Sequence, residues 1–543
     1  MKKYDLVLLC VISCMYAGPV QFFGSASAYS ELYEMEGAPQ LRPNSTLRFT
    51  LNPTLSISGM PLSLNLFISS EESNIRQALN KWRIFLQPSR LIRDMVNAPG
   101  FVFSISGIEI GTCSPQFTPL TLSGIPVTGG AFEMNPWILY MAGAAGRVQR
   151  GVEGSDSTVA AYERTLYAAR FGFGKKKGTH LYFTFLHAGD DTSSINPYVL
   201  PLPGDSDTVE VLVPQENFMG GVEVQLTFGE HFTVLSELAA SQHTRDIRMP
   251  KLVLPDAPAW ALDFFNPRMS SSFDYAVAVR PVITLQSTKI WGGWKMIGPG
   301  YRTFGVPRLR TDNLTMEVGI QQVLFNNGIS MSASYKNEHD NLIGNKSSTT
   351  YFTTYAFILG LNFMNIPYVQ AMYSPVQQTN DSLGIENKDD ILSISTGYNF
   401  ELGGLYHSPV VAWQHQKHNE LMTQNNYTTN SFSITENASF KVPLNIQAGI
   451  GVTNADYDTT QTRILTIDFG VSYTFFNRWT NTIVYGHTGE RERGIRHALR
   501  FNSSVPLWWL GNANLLLERN LFRGDNGDDY NKWRFISTLS KNW

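Results

Sequence analysis

The chain has 543 residues, 43% of them hydrophobic, 12% aromatic and 16% charged, with a formal net charge of -3. No uninterrupted apolar run of about 20 residues follows the N-terminus, which argues against a helical membrane protein. The slightly acidic balance lacks the basic excess of a nucleic-acid binder, so no nucleic-acid partner is expected.

In chain order, residues 1–28 carry Lys2 and Lys3, an apolar stretch over 6–12, and the small triplet Ala26, Ser27 and Ala28. This is the layout of an export signal peptide, with the mature chain expected to begin at Tyr29. Val11, Ile12, Ser13 and Cys14 loosely resemble a lipoprotein box, but the apolar region before Cys14 is short for one. Loss of residues 1–28 removes Cys10 and Cys14 and leaves Cys113 alone, so no internal disulfide is expected.

Residues 29–100 hold two short strand-like runs, 47–57 and 62–68. A helix is then expected, opened by Ser70, Glu71, Glu72 and Ser73, with Ile75, Leu79, Trp82 and Leu86 at helical spacing. Arg76, Lys81, Arg83, Arg90 and Arg93 make the region basic. It reads as an N-terminal plug or periplasmic cap, or as an ordinary amphipathic helix packed on a barrel mouth.

From residue 101 to 543 the pattern changes to short alternating segments. Over 465–475 the odd positions are Leu465, Ile467, Phe469, Val471, Tyr473 and Phe475, and the even ones Thr466, Asp468, Gly470, Ser472 and Thr474. The same alternation occurs over 444–453 and 392–402. One apolar face against one of small and polar residues suits a sheet between lipid and water. Spacing gives about 20 to 22 strands, each of about 10 residues plus a turn. Short connections at 365–367, 403–404, 442–443, 477–478 and 505–506 alternate with polar loops at 338–348, 377–390, 417–429, 489–494 and 523–531. That asymmetry, with long loops outside the cell, favours an all-β, antiparallel transmembrane barrel over a secreted sandwich or propeller. Trp533, Phe535, Leu539 and Trp543 share one face of the last segment and resemble the C-terminal assembly signal read by the barrel-assembly machinery; Lys541 breaks the pattern.

The stretches 52–61 (NPTLSISGMP), 136–150 (PWILYMAGAAGRVQR), 166–191 (LYAARFGFGKKKGTHLYFTFLHAGDD) and 298–312 (GPGYRTFGVPRLRTD) are similar to blocks of uncharacterised outer-membrane β-barrel proteins of Bacteroidota and Chlorobiota. The resemblance implies a large barrel in the cell outer membrane, and brings neither substrate nor catalytic residues with it.

If the apolar face meets lipid, the other parity lines the lumen. Glu223, Gln225, Glu237, Arg280, Lys295, Glu317, Gln321, Lys336, Asp468, Arg496, Arg500 and Arg534 fall there. A charge on the lipid face at mid-membrane would cost about 2–4 kcal/mol, which makes inward placement the expectation. These charges either solvate and pair along the wall or set the selectivity of a polar conduit. In 298–312, Gly298, Pro299, Gly300, Gly305 and Pro307 demand irregular backbone around Arg302, Arg308 and Arg310. The loop either folds inward as a constriction or stays outside at the rim.

Other constellations are weaker. Asp190, Asp191, Asp205 and Asp207 lack a spaced cation loop, and His407, His415 and His418 lack a completing carboxylate or thiolate, so no metal and no cofactor is expected. No nucleophile elbow, Walker loop or HExxH motif occurs, and His180 and His187 near Ser193 and Ser194 are the only hydrolase candidates, so no enzyme is expected. The sequence thus points to a porin-like channel for polar solutes, with outer-membrane lipid and lipopolysaccharide as surroundings. The alternative is a structural, secretion- or adhesion-associated barrel with an envelope partner.

Overall fold

The computed structural model describes residues 20–543 apart from 41, 72–74, 94–95, 97, 155–157, 197–198, 202–207, 211, 253–264, 381, 383, 421–425 and 458–459. The chain opens with β1 (Val20–Glu36), β2 (Ser45–Ile57), β3 (Met60–Ser69), β4 (Lys81–Leu86), β5 (Ile105–Cys113), β6 (Val127–Met134) and β7 (Leu139–Gln149). It continues with β8 (Glu163–Gly174), β9 (His180–Asp191), β10 (Val199–Pro201), β11 (Thr208–Glu210), β12 (Glu216–Phe228), β13 (Phe232–Thr244), β14 (Ser271–Leu285) and β15 (Thr288–Ile297). Next are β16 (Asn313–Leu324), β17 (Ile329–His339), β18 (Tyr351–Leu361), β19 (Tyr368–Asn380), β20 (Ile385–Gly397), β21 (Phe400–Leu402), β22 (Leu405–His407) and β23 (Val410–Glu420). The last are β24 (Tyr427–Ser439), β25 (Leu444–Tyr457), β26 (Gln461–Phe475), β27 (Trp479–Glu490), β28 (Gly494–Leu507), β29 (Gly511–Gly524) and β30 (Tyr530–Asn542).

Wall strands pair antiparallel with their neighbours in sequence, β9 pairs with β12, and β20 with β23. Because β1 pairs with both β2 and β30, the ring closes, with 26 strands in the wall. β10 and β11 pair only with each other, and β21 and β22 form a rim hairpin leaning on β24. Closure is what a membrane demands of a sheet, since an edge would leave backbone N–H and C=O groups unpaired in hydrocarbon.

The strands after residue 101 agree with the spacing of the sequence; the difference lies before it. The segment expected as a plug or cap supplies β2 to β4 and the second half of β1, strands that stand in the wall and raise the ring above the expected 20–22. The expected helix is replaced at its C-terminal half by β4. Trp82 and Leu86 satisfy a helical spacing and a strand spacing alike, and the ladders offered by β3 and β5 decide for the strand. Residues 72–74, in the expected first turn of that helix, lie outside the described residues.

Register settles which face looks where, because residues opposed across a ladder point to the same side. One face passes from Arg534 through Glu518, Arg500 and Val484 to Gly470. Elsewhere it passes from Lys336 to Glu317, and from Lys295 through Ala278, Glu237 and Glu223 to Tyr182. This polar face lines the lumen. The opposite face carries exposed Leu32, Leu47, Phe132, Phe171, Phe273, Phe357, Phe469 and Phe535, a belt that only lipid can cover. Trp533, Phe535, Leu539 and Trp543 share the outward parity of β30. Trp543 stacks on Phe22 at 5.9 Å and exchanges two backbone hydrogen bonds with Gly24.

One rim carries long connections, including 37–44, 70–80, 114–126, 245–270 and 298–312; most connections at the other are short. At the short rim Trp137, Phe325, Phe476 and Trp508 sit at positive φ with their rings in the open, Trp508 96% exposed. Bulky residues rarely adopt that backbone, and aromatic rings favour the bilayer interface.

The triplet Ala26, Ser27 and Ala28 lies inside β1, paired with both β2 and β30. Cleavage after Ala28 would strip Val20 to Ala28 from the seam. Intact-mass measurement of the purified protein is therefore expected to place the mature N-terminus ahead of Val20. A chain starting at Tyr29 that still forms the heat-modifiable barrel would overturn this.

Candidate functional site

Two long-rim loops, 114–126 between β5 and β6 and 298–312 between β15 and β16, fold into the lumen. Loop 298–312 is pinched at its neck, where the Asp312 amide donates to the Gly298 carbonyl at 3.2 Å and the Gly300 amide to Asp274 Oδ2 at 2.7 Å. Tyr301, Thr303 and Gly305 are buried there without a ladder, so polar groups of this stretch need individual partners. The Tyr301 hydroxyl donates to the Leu120 carbonyl at 2.7 Å, Thr303 Oγ1 to the Thr121 carbonyl at 3.0 Å, and the Ser123 amide to the Gly305 carbonyl at 3.0 Å. Asn217 on β12 accepts from the Phe304 amide at 3.1 Å and donates to the Arg302 carbonyl at 2.9 Å. A side chain at Gly305 would collide with the Thr121 carbonyl and lie 2.8 Å from Leu186 Cδ1, so this position is restricted to glycine by close approach.

The seat is apolar. Leu122 and Ile125 pack with Leu166, Ala168, Leu186, Ala188 and Met219 on the inner wall, with Phe117 and Phe304 against them. Leu120 and Tyr301 pack on Ala239, Ala276, Ala278 and Ile297. Burial, and then the nearby Glu237 carboxyl, push the Tyr301 hydroxyl above its ordinary pKa, so it remains a donor.

Beneath the loops the inner wall carries buried charges. Arg170 forms an ion pair with Glu223 and donates to the Phe117 carbonyl at 2.9 Å, with its guanidinium over Tyr182 at 4.8 Å. His180 Nε2 lies 2.9 Å from the same Glu223. Directly across the ladder, Glu237 accepts from Thr118 Oγ1 and from the Leu120 amide, at 3.2 Å for the latter. Two opposed carboxyls in one buried site would repel; here one is held by Arg170 and His180 of the wall and the other by the loop.

The structure places Arg280, Lys295 and Glu317 inward on β14, β15 and β16, beside the loops. Arg302, Arg308 and Arg310 project from loop 298–312 with exposed side chains. Arg310 lies 3.9 Å from Glu338 and 4.8 Å over the Phe352 ring, while Lys336 pairs with Glu338 at 2.7 Å. Asp468, Arg496 and Arg500 stand apart on β26 and β28, inward and exposed. Asp468 is flanked across both ladders by Gly449 and Gly486, which leave its carboxylate open. Near the seam Arg534 donates to Glu31 at 2.7 Å and reaches Glu518 at 4.0 Å. The lumen therefore has one sector covered by loops and one bare polar sector.

Other candidates are dispersed. His180 sits at one end of β9 and Ser193 beyond the other, about 40 Å apart at strand rise, so the hydrolase constellation is not assembled. His187 faces outward and pairs with Glu216 at 2.9 Å, and Ser193 Oγ donates to Asp191 at 2.7 Å. His407, His415 and His418 pair separately with Glu436, Asn430 and Asp389. Asp190 holds Arg164 by two bonds of 2.7 and 2.9 Å, and Asp205 and Asp207 lie outside the described residues. Among the described residues no group of three or more His, Cys, Asp or Glu is arranged to hold a metal ion. The sequence reading missed loop 114–126 and its latch; the available sign was apolar Phe117, Leu120 and Leu122 in a stretch otherwise rich in Pro, Ser and Thr.

No protein-family model matches the sequence, and no curated protein matches it. Solved structures do. The outer membrane protein OpdK from Pseudomonas aeruginosa is 9% identical, with 61% of this chain and 94% of that chain covered and a TM-score of 0.30. A BenF-like porin from Pseudomonas fluorescens Pf-5 is 11% identical, with 70% and 98% covered and a TM-score of 0.32. The P pilus usher (PapC) translocation pore is 10% identical, with 96% and 99% covered and a TM-score of 0.27. Likeness at this level carries no functional argument; the barrel rests on the closure of its own ladders.

Replacing Glu237 with Ala removes the acceptor of Thr118 and Leu120 and leaves the wall intact. A latch worth about 2 kcal/mol shifts the docked-to-undocked ratio of loop 114–126 about thirtyfold. Glu237→Ala is expected to keep heat-modifiable mobility while amide exchange over 116–123 accelerates; unchanged protection would show that the latch is idle.

A second clamp joins loops 298–312 and 340–350, where Lys346 lies 2.6 Å from Asp312 and 2.9 Å from Asp340. Burial alone would raise both carboxyl pKa values, but Lys346 and neighbouring backbone amides more than offset it and hold both below the ordinary value. Lys346 is raised by hydrogen bonds to the two carboxylates. The carboxylate contribution is present above about pH 3.9 and lost as pH falls through the depressed values. The lysine contribution is present below about pH 10.4 and lost as pH rises through its raised value. Protection factors over 340–350 are expected to hold at pH 7 and to fall progressively as the pH is lowered below about 3.9, with the strands unaffected; factors that stay constant throughout the acid range would refute the clamp.

Proposed function

We propose that this protein is a passive, porin-like channel for polar solutes in an outer membrane. The observation that supports it best is the bare sector of the lumen, where Asp468, Arg496 and Arg500 point inward and remain solvent-exposed, facing a sector narrowed by two docked loops. Inward charges in contact with water are what a conduit presents, and infolded loops are a means of reducing its bore. The placement of β1 to β4 in the wall supports the same reading, since the segment most suited to act as a plug is committed to the ring. Lipid of the outer membrane is the partner of the apolar belt, and the outward Trp533, Phe535, Leu539 and Trp543 are the residues offered to the barrel-assembly machinery.

The test is single-channel recording of refolded full-length protein in planar bilayers. Steady ohmic currents are expected, with a larger unit conductance when residues 116–123 are replaced by a short Gly-Ser linker. In parallel, cysteines at Asp468 and Gly470 should react with water-soluble reagents while those at Ile467 and Phe469 do not. Silence from both proteins, with the barrel folded, would sink the channel reading and favour a structural or secretion-associated barrel.

A further inference from the structure

The narrowed sector holds one polar side chain that the fold does not use. His243, near the end of β13, is 2% exposed, and neither ring nitrogen has a hydrogen-bond partner among the described residues. A buried polar group left so calls for an explanation, and a role in binding is one. Its parity is that of Glu237 and Ser241, so it faces inward, and its ring meets Phe304 of loop 298–312 edge-on at 5.6 Å. The charged groups that act on it are Arg302, Arg164 and Arg245, all cationic. Arg164 is neutralised by its two bonds to Asp190 and lies 3.5 Å over Phe304. The nearby Asp246 is taken by Arg248 through bonds of 3.0 Å. Arg302 and Arg245 have exposed side chains and no ion-pair partner among the described residues.

We propose that Arg302, Arg245 and His243 form a binding subsite for an oxyanion group, phosphate or carboxylate, at the long-loop mouth of the lumen. The two guanidinium groups supply planar donor forks and charge, and the imidazole supplies one N–H from a wall position that water reaches poorly. The loop backbone fixes the arrangement: the Arg302 carbonyl accepts from Asn217 and from Ser241, so the residue carrying the first guanidinium is tied to the strand that carries the imidazole. Below the subsite, Lys295, Arg280 and Lys289 continue inward along β14 and β15, with Glu317 as the neighbouring carboxylate. An anion released from the mouth therefore meets further cations along the same wall. This inference rests on the channel reading for its purpose but not for its chemistry.

The experiment measures inorganic phosphate on refolded full-length protein in two ways, by equilibrium dialysis in detergent and by block of chloride current in planar bilayers. Saturable binding at one site per barrel is expected, with concentration-dependent block. Arg302→Gln and Arg245→Gln, both at exposed side chains, should each weaken binding about tenfold, the loss of a charge-assisted contact. His243→Phe, which keeps the packing on Phe304, should weaken it as well. Arg496→Gln on the opposite wall should leave binding unchanged. Conductance without saturable phosphate binding, or binding indifferent to Arg302→Gln and Arg245→Gln, would overturn the subsite and leave the channel standing. Phosphate binding sensitive to those variants in a barrel that passes no current would support the subsite and reject the channel.

Discussion

The rest of the structure depends on the obligation of every backbone amide and carbonyl in a membrane to find its partner within the protein. A sheet can meet it only by closing, and here closure falls to the pairing of β1 with β30. The seam is well provided. Gly24 and Trp543 exchange backbone hydrogen bonds at one end, and toward the other Arg534 reaches across to a Glu31 that is itself held by Tyr29 and Arg42. Once the ring is closed, parity divides every strand into a lipid face and a water face, and the position of each charge follows from the register.

The inner loops obey the same obligation under harder conditions. Loop 298–312 has no ladder, yet Tyr301, Thr303 and Gly305 are buried, so polar groups over 301–305 are matched to particular atoms of loop 114–126 and of the wall. That matching is why the inner wall of β7 to β9 and β12 turns apolar where elsewhere it is polar. Leu166, Leu186 and Met219 face inward to seat the loops, while Tyr167 and Phe185 face lipid. Charges that would otherwise line water, Arg170, Glu223 and Glu237, become buried fastenings. The bare sector around Asp468 and Arg500 shows what the wall looks like without such a cover.

Much of this was legible in the residues. Alternation around Ile467, Asp468 and Phe469 gave the barrel and the division of each strand into an apolar and a polar face, because period two is written directly into a strand that has lipid on one side and water on the other. The strands after residue 101 were countable for the same reason. β4 was misread because Trp82 and Leu86, four apart, satisfy both periods, and only the presence of β3 and β5 on either side resolves them. The triplet at Ala26 suits a processing site and a strand at the seam alike, because small residues serve in both. The loops were half legible. Gly298, Pro299, Gly300 and Gly305 announced irregular backbone, but nothing local says that Tyr301 will meet Leu120, which lies 181 residues away.

The seam has a consequence for how the molecule comes into being. β1 is the first wall strand to be made and β30 the last, so the outer edge of β1 stays without a partner until the final residues of the chain are available. Throughout that interval the growing protein carries a long open template flanked by Phe22, Leu32 and Leu47, the kind of edge that pairs with whatever strand it meets. The time spent in that state scales with the length of the whole polypeptide, not with any one hairpin. The beginning of this barrel therefore has to be kept from wrong partners until its end arrives.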